Sequence, residues 1–218
     1  MSVDQDSAPR GTPWGRRDAW IAAVWLLSLT PAVSAQTPRE TLRQAETDFI
    51  TGRVEASVDG FDRVAELVPD AAPQLWQRGI ALYYVGRYGD CRRQFESHRR
   101  VNPNDVENAA WHFLCVARAE SPEAAVEALL PVGPDARAPM REIYEMFRGR
   151  LSADQVLAAG DQPRARFYAY LYIGLHHEAL GRRAEARAAI TTAAEDRFAS
   201  VGGYMHAVAV VHRDRLEP

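Results

Sequence analysis

Lysine is missing altogether from this chain of 218 residues: all 26 basic side chains are arginine. Set beside the many alanines, this skew is compositional and points to no function. Positive charge is also short of what a nucleic-acid binder carries. With 29 acidic side chains the formal charge is -3, so there is no basic excess of the kind such proteins show, and nucleic acid is not an expected partner. Arg92-Arg93, Arg99-Arg100 and Arg182-Arg183 fall within helical segments and read as solvated faces. Cysteine is scarce. Two cysteines in a chain this long make no disulfide framework, and Cys91 and Cys115 both sit in alanine-rich helical contexts where a small thiol packs like alanine. A bridge is permitted outside the cytosol, but the expectation is two free, buried thiols. No segment alternates with period two, which excludes a sheet. A Gly-rich phosphate loop and a Gly-x-Ser-x-Gly motif are absent as well.

The amino end has the layout of a targeting segment. Arg10, Arg16 and Arg17 precede an apolar run from Ala19 to Leu29, followed by Thr30-Pro31 and Val33-Ser34-Ala35. A positive flank, a core of about 7–15 apolar residues and small residues before the cut are what signal peptidase accepts. Residues 1–35 are therefore expected to be a signal peptide cleaved near Ala35. Ala19 to Ala35 covers 17 residues, short of the about 20 that span a bilayer, so membrane contact is expected only if the segment stays uncleaved. Asp18 after the twin arginine is a poor fit to the folded-protein export route, and no cysteine follows the run to take a lipid. The expected location is the periplasm or the medium.

What the chain does have is a period. Gly52 and Gly86, Phe61 and Phe95, and Pro69 and Pro103 are each 34 residues apart. The unit reads as helix, tight turn, second helix and proline exit. Leu75, Gly79 and Leu82 share one face of a first helix, Gly86 turns the chain, and Tyr88, Cys91 and Phe95 face back from a second helix ended by Pro103. The grammar returns at the carboxyl end. Tyr170, Ile173, Gly174 and His177 precede Gly181, and Ala186, Ile190 and Ala193 take the offsets of Cys91, Phe95 and His98. Gly79 and Gly174 are predicted to occupy equivalent helix crossings, seven residues before their turn glycines.

Weaker units lie between. Asp105 to Glu120 carries Trp111, Phe113, Leu114 and Val116, with a shorter partner at Glu123 to Leu130. Pro131–Pro139 is a loop broken by Gly133-Pro134. Met140, Ile143, Tyr144 and Phe147 are spaced as a helix, and Ser152 with Gln155 is a capping-box start for another. The expected organisation is an all-α domain over 36–218. It divides into units 37–70, 71–104, 105–131 (degenerate), 138–160 (a short helix pair) and 164–198, closed by a capping helix at 199–216. This amounts to a tetratricopeptide-like (TPR-like) α-α superhelix of about four helix pairs and a cap.

Gln77-Arg-Gly-Ile-Ala-Leu-Tyr-Tyr-Val-Gly-Arg87, Asn102-Pro-Asn-Asp105 and the closing pair Phe167 to Ala194 resemble the NlpI-type bacterial envelope lipoproteins, a TPR family. Pro139-Met-Arg-Glu-Ile-Tyr-Glu-Met-Phe147 is similar to a segment of related TPR proteins of bacteria and chloroplasts. The likeness runs from about Gly60 to Val211. It implies a dimer-forming adaptor that brings cell-wall hydrolases and a protease together. The chain departs from the family in lacking the lipidation cysteine and the extra amino-terminal helices used in pairing.

No catalytic or metal constellation is expected. His112 and Cys115 share a helix face without a third group. His176 and His177 are about 100° apart on a helix, and His206 and His212 are six residues apart, off the three-or-four rule. No cofactor is implied. The functional expectation is a non-catalytic scaffold that binds other exported or envelope proteins. Its groove would lie on the inner face of the stack, since first helices line the concave side of such solenoids. Trp76, Ile80, Tyr83 and Tyr84 from the second unit, with Tyr168 and Leu175 from the last, are the candidate groove residues. The alternative is an assembly factor acting by self-association.

Overall fold

The first helix, α1 (Pro38–Ile50), begins where its sequence caps it. The Thr37 hydroxyl accepts from the Glu40 amide and the Glu40 carboxylate accepts from the Thr37 amide, with Pro38 preset for the first turn. The structure, a computed structural model, describes residues 36–216. The signal segment expected over 1–35 lies outside them. After α1 come α2 (Val54–Leu67), a 3-10 turn at Pro69–Gln74, α3 (Trp76–Tyr84), α4 (Tyr88–His98), α5 (Val106–Ala119) and α6 (Pro122–Glu127). A loop leads to α7 (Met140–Phe147) and α8 (Ala153–Ala158), then to α9 (Pro163–Ala179) and α10 (Arg183–Ala193). The expected capping box at Ser152 and Gln155 opens α8. The described residues are all-α, with no strand among them.

The single closing helix expected over 199–216 is two helices. Gly203, at φ 54° and ψ -130°, breaks it into α11 (Ala199–Gly202) and α12 (Tyr204–Arg215).

Consecutive helices pack as pairs: α1 with α2, α3 with α4, α5 with α6, α9 with α10. Gly86 and Gly181 turn two of these hairpins at φ 77° and 73°, a left-handed conformation that costs glycine nothing. The crossings are as the spacing predicts. A Cβ on Gly79 would lie 2.6 Å from Phe95 Cζ, and one on Gly174 would lie 2.6 Å from Ile190 Cγ1. The opposing side chain is sixteen positions on in both hairpins (79 to 95, 174 to 190), so one geometry is used twice.

The core runs along α5 and α9. Trp111, Phe113, Leu114, Phe167 and Tyr172 are all but completely buried, each burial contributing about 1.5–3 kcal/mol.

The cysteines correct the sequence reading. Cys91 and Cys115 form a disulfide between α4 and α5, with their Cα atoms 5.9 Å apart, and are not free thiols. The alanine-like packing that argued for buried thiols is also what brings the two helices, and so the two sulfurs, together. Closing a loop with a sequence separation of 24 is worth roughly 3 kcal/mol in the chain-entropy account.

Candidate functional site

The face expected to hold a partner is covered by the chain itself. Helix α12 packs on α10 and α1, and its side chains reach α3 and α9. The Tyr204 ring stacks on Phe49 at 5.6 Å and meets Trp76 edge-on at 5.3 Å. Farther along α12, His212 Nδ1 is 2.9 Å from the Tyr84 hydroxyl, and its Nε2 is 3.1 Å from Glu178 Oε2 on α9. A carboxylate only accepts, so a proton on Nε2 leaves Nδ1 to accept from Tyr84.

This placement decides the fate of the six expected groove residues. Ile80 and Leu175 are fully buried and contact no solvent. Tyr83 is buried edge-on to Trp111, and its hydroxyl donates to Glu178 Oε2 at 3.4 Å. Tyr84 is half-buried against α12. Burial, and then the Glu178 charge, push the Tyr83 phenol far above its ordinary range. Burial pushes the Glu178 carboxyl up, but His212 and Arg118 outweigh it and hold the group below the usual carboxylate range. These four residues join the hairpins to one another and to α12. A 3.6-residue pattern marks a second apolar face, and only the tertiary fold shows that another helix of the same chain occupies it.

Trp76 and Tyr168 have a different place. They line a half-enclosed cavity of about 210 Å³ together with His98, Asp105, Glu107, Asn108, Trp111, Gly202, Tyr204 and Met205. Six helices meet around it, and Arg137 from the loop after α6 binds the carboxylates at one end. Asp105 caps α5, accepting from the Glu107 amide at 3.1 Å. Arg137, from the loop, ties three carboxylates: Glu107 Oε1 at 2.6 Å, Asp105 Oδ1 at 2.7 Å and Asp135 Oδ2 at 2.6 Å. The Tyr172 hydroxyl donates to the other Glu107 oxygen at 2.7 Å. Burial, and then the neighbouring Asp105 charge, raise the Glu107 carboxyl above its ordinary range, while the three carboxylates push Arg137 up. Sequence reasoning missed Asp105, Glu107, Asn108 and His98 as site residues. Apolar periodicity gives carboxylates no weight, and the partners Arg137 and Tyr172 lie 30 and 65 positions from Glu107.

A second, larger hollow is apolar. It measures about 720 Å³, between α1, α2, the 3-10 turn and the start of α3, and is lined by Leu42, Val64, Val68, Ala71 and Leu75. Val68 in its lining is 37% exposed.

His98, Asp105 and Glu107 share the smaller cavity, with His98 Nε2 4.0 Å from Asp105 Oδ2. Cys115 is held in the disulfide. His112, pushed down by burial, sits 3.5 Å from Glu96. His206 lies 3.1 Å from the Glu195 carbonyl. Among the described residues no group of three or more His, Cys, Asp or Glu is placed to hold a metal ion, and no helix is long and apolar enough to cross a membrane. No family model matches the chain.

Proposed function

We propose that the chain is an exported scaffold of the TPR kind, a helical-hairpin superhelix without chemistry of its own that holds other envelope proteins, as the resemblance to NlpI-type adaptors implies. The observation that carries the reading is the repeated crossing, Gly79 on Phe95 and Gly174 on Ile190 at one offset. Hairpins stacked in this way are a recognition architecture, because each unit leaves surface that its neighbours do not cover. The buried disulfide supports export, since cytosolic thiols are kept reduced.

With the inner face filled by α12, the surface that fits a partner is the apolar hollow beside Leu42 and Val68. An amphipathic helix laid there would bury apolar side chains on both partners. Glutamate at Leu42 or Val68 should abolish capture of cross-linked envelope partners by the purified chain, with its helical circular-dichroism signal unchanged. Undiminished capture by both variants would reject this surface. Exposed Val68 in its lining favours one further reading, self-association through the same hollow. A light-scattering mass of twice the chain, reverting to one chain in Val68→Glu, would establish it.

A further inference from the structure

We infer that the cavity between α3, α5, α9 and α12 is a binding site for a single cationic group that carries N–H donors, a guanidinium or an alkylammonium. The assignment stands apart from the partner-binding hollow and does not depend on it.

Three side chains that line the cavity each keep an atom able to accept with no hydrogen-bond partner among the described residues: His98 Nε2, Asn108 Oδ1 and the Tyr204 hydroxyl. Trp111 Nε1 is unpaired too, but as a donor it is not served by a cation. His98, Asn108 and Trp111 are only 5%, 2% and 1% exposed, so bulk water does not serve them, and an orphaned buried polar atom is costly. Their roles follow from the bonds they do make. His98 Nδ1 lies 2.9 Å from the Pro73 carbonyl, which can only accept, so in neutral His98 the hydrogen is on Nδ1 and Nε2 is a bare acceptor facing Asp105 Oδ2 at 4.0 Å. Asn108 Nδ2 donates to the Phe95 carbonyl at 3.2 Å, which leaves Oδ1 as a second bare acceptor. Asp105 and Glu107 add carboxylate acceptors to the same lining.

The charge and the walls narrow the ligand further. Three carboxylates, Asp105, Glu107 and Asp135, share the guanidinium of Arg137. Even with Arg164, which lies over the Tyr168 ring at 5.8 Å, acidic groups outnumber basic ones around the cavity by three to two. The remaining walls are the rings of Trp76, Trp111, Tyr168 and Tyr204, and Tyr168 already draws a cation, the Arg164 guanidinium over its ring. Internal water would satisfy the orphaned atoms but would leave that negative excess uncompensated. At about 210 Å³ the cavity is smaller than the about 300–1,000 Å³ of sites for drug-sized molecules. It suits one side chain or a small amine. The cation can come from a free metabolite or from an arginine or lysine of a bound polypeptide.

The test is calorimetric titration of the full chain with methylguanidinium, tetramethylammonium, acetate and an arginine-containing pentapeptide. Methylguanidinium should bind saturably and at least tenfold more tightly than tetramethylammonium, which has the charge but no N–H, and acetate should not bind. Glu107→Gln keeps an acceptor for Tyr172 and should weaken methylguanidinium about tenfold. Tyr204→Phe removes a hydroxyl that has no partner and should weaken it severalfold while leaving the thermal midpoint unchanged. Pentapeptide binding tighter than methylguanidinium, with the same sensitivity to both variants, assigns the cation to a polypeptide. Equal affinities assign it to a free small molecule. No saturable binding of any cation up to about 10 mM, equal binding of acetate, or binding that both folded variants retain in full would overturn the assignment and leave a cavity that holds only water.

Discussion

His176 shows how one side chain carries a cost set by its neighbours. Its ring lies 4.8 Å from Phe147 and 5.9 Å from Phe113. Burial, followed by the charges of His177 and Arg182, lowers its pKa to about 4. The ordinary value is about 6.5. A histidine depressed on folding is neutral in both states above about pH 6.5, so its stabilising environment is then intact. As the pH falls from about 6.5 toward 4 the unfolded chain takes up a proton that the folded chain refuses, and stability is lost. Between pH 7 and pH 5 the loss assigned to this group is about 2 kcal/mol, from roughly 1.5 units at 1.36 kcal/mol each. The ring is partly solvated, which makes that an upper figure. Urea unfolding at both pH values should show the native chain losing about 1–2 kcal/mol more than His176→Phe. Parallel pH profiles for the two proteins would reject the assignment. The sequence placed His176 beside His177 on a helix and ruled out shared metal binding on the 100° between them. Which of the two faces aromatic rings depended on α5 and α7 arriving from elsewhere.

At the scale of the helix pair, most of what the structure shows was legible beforehand. A period of 34 residues, turn glycines and small residues at crossings are local signals, and a helical hairpin is a local object. The predicted equivalence of Gly79 and Gly174 therefore holds to the same offset. The two sites differ in tolerance. On Gly174 a Cβ would meet Ile190 Cγ1 at 2.6 Å and also the Ile190 backbone nitrogen at 3.1 Å, whereas on Gly79 it would meet only the Phe95 ring. A ring edge can shift and a helix backbone cannot without moving the hairpin. Overpacking costs about 1–3 kcal/mol, against a gain of up to about 1 kcal/mol in helix propensity for alanine over glycine. Gly174→Ala should therefore destabilise by about 1–2 kcal/mol in urea, and more than Gly79→Ala. Combined with Ile190→Ala, which removes the opposing atoms, the double variant should be at least about 1 kcal/mol more stable than the sum of the two singles. Strict additivity would mean that the crossing is not where the strain lies. The cysteines mark the limit of local reading. Cys91 and Cys115 belong to different hairpins, and their bridge is a property of how one pair packs on the next.

Across the whole molecule, the feature least visible in the sequence is where the last helix goes. A closing helix was expected from its composition, and stacking on the end of the last pair is the cheapest reading of such a segment. Gly203 turns the chain, and α12 packs on α10 of the last pair and also reaches α1 of the first. Of the expected groove residues, Trp76 and Tyr84 meet α12 directly, whereas Tyr83 is buried against Trp111 of α5. Phe49, Trp76 and Tyr84 form an aromatic face that Tyr204 and His212 of α12 cover. Magnitudes decide whether α12 is a removable lid or a structural member. Met205, Val208 and Val211 are 6%, 0% and 5% exposed, and at about 1.5–3 kcal/mol each their burial supplies roughly 5–9 kcal/mol. A domain's entire stability is about 5–15 kcal/mol. A lid that opens in function must cost far less than that, so α12 is a structural member. A chain ending at Gly203 should accordingly lose its cooperative thermal transition and bind a hydrophobic dye already at 20 °C. A sharp transition within about 10 °C of the full-length chain would show the opposite: that the helix is dispensable and the inner face is available to others.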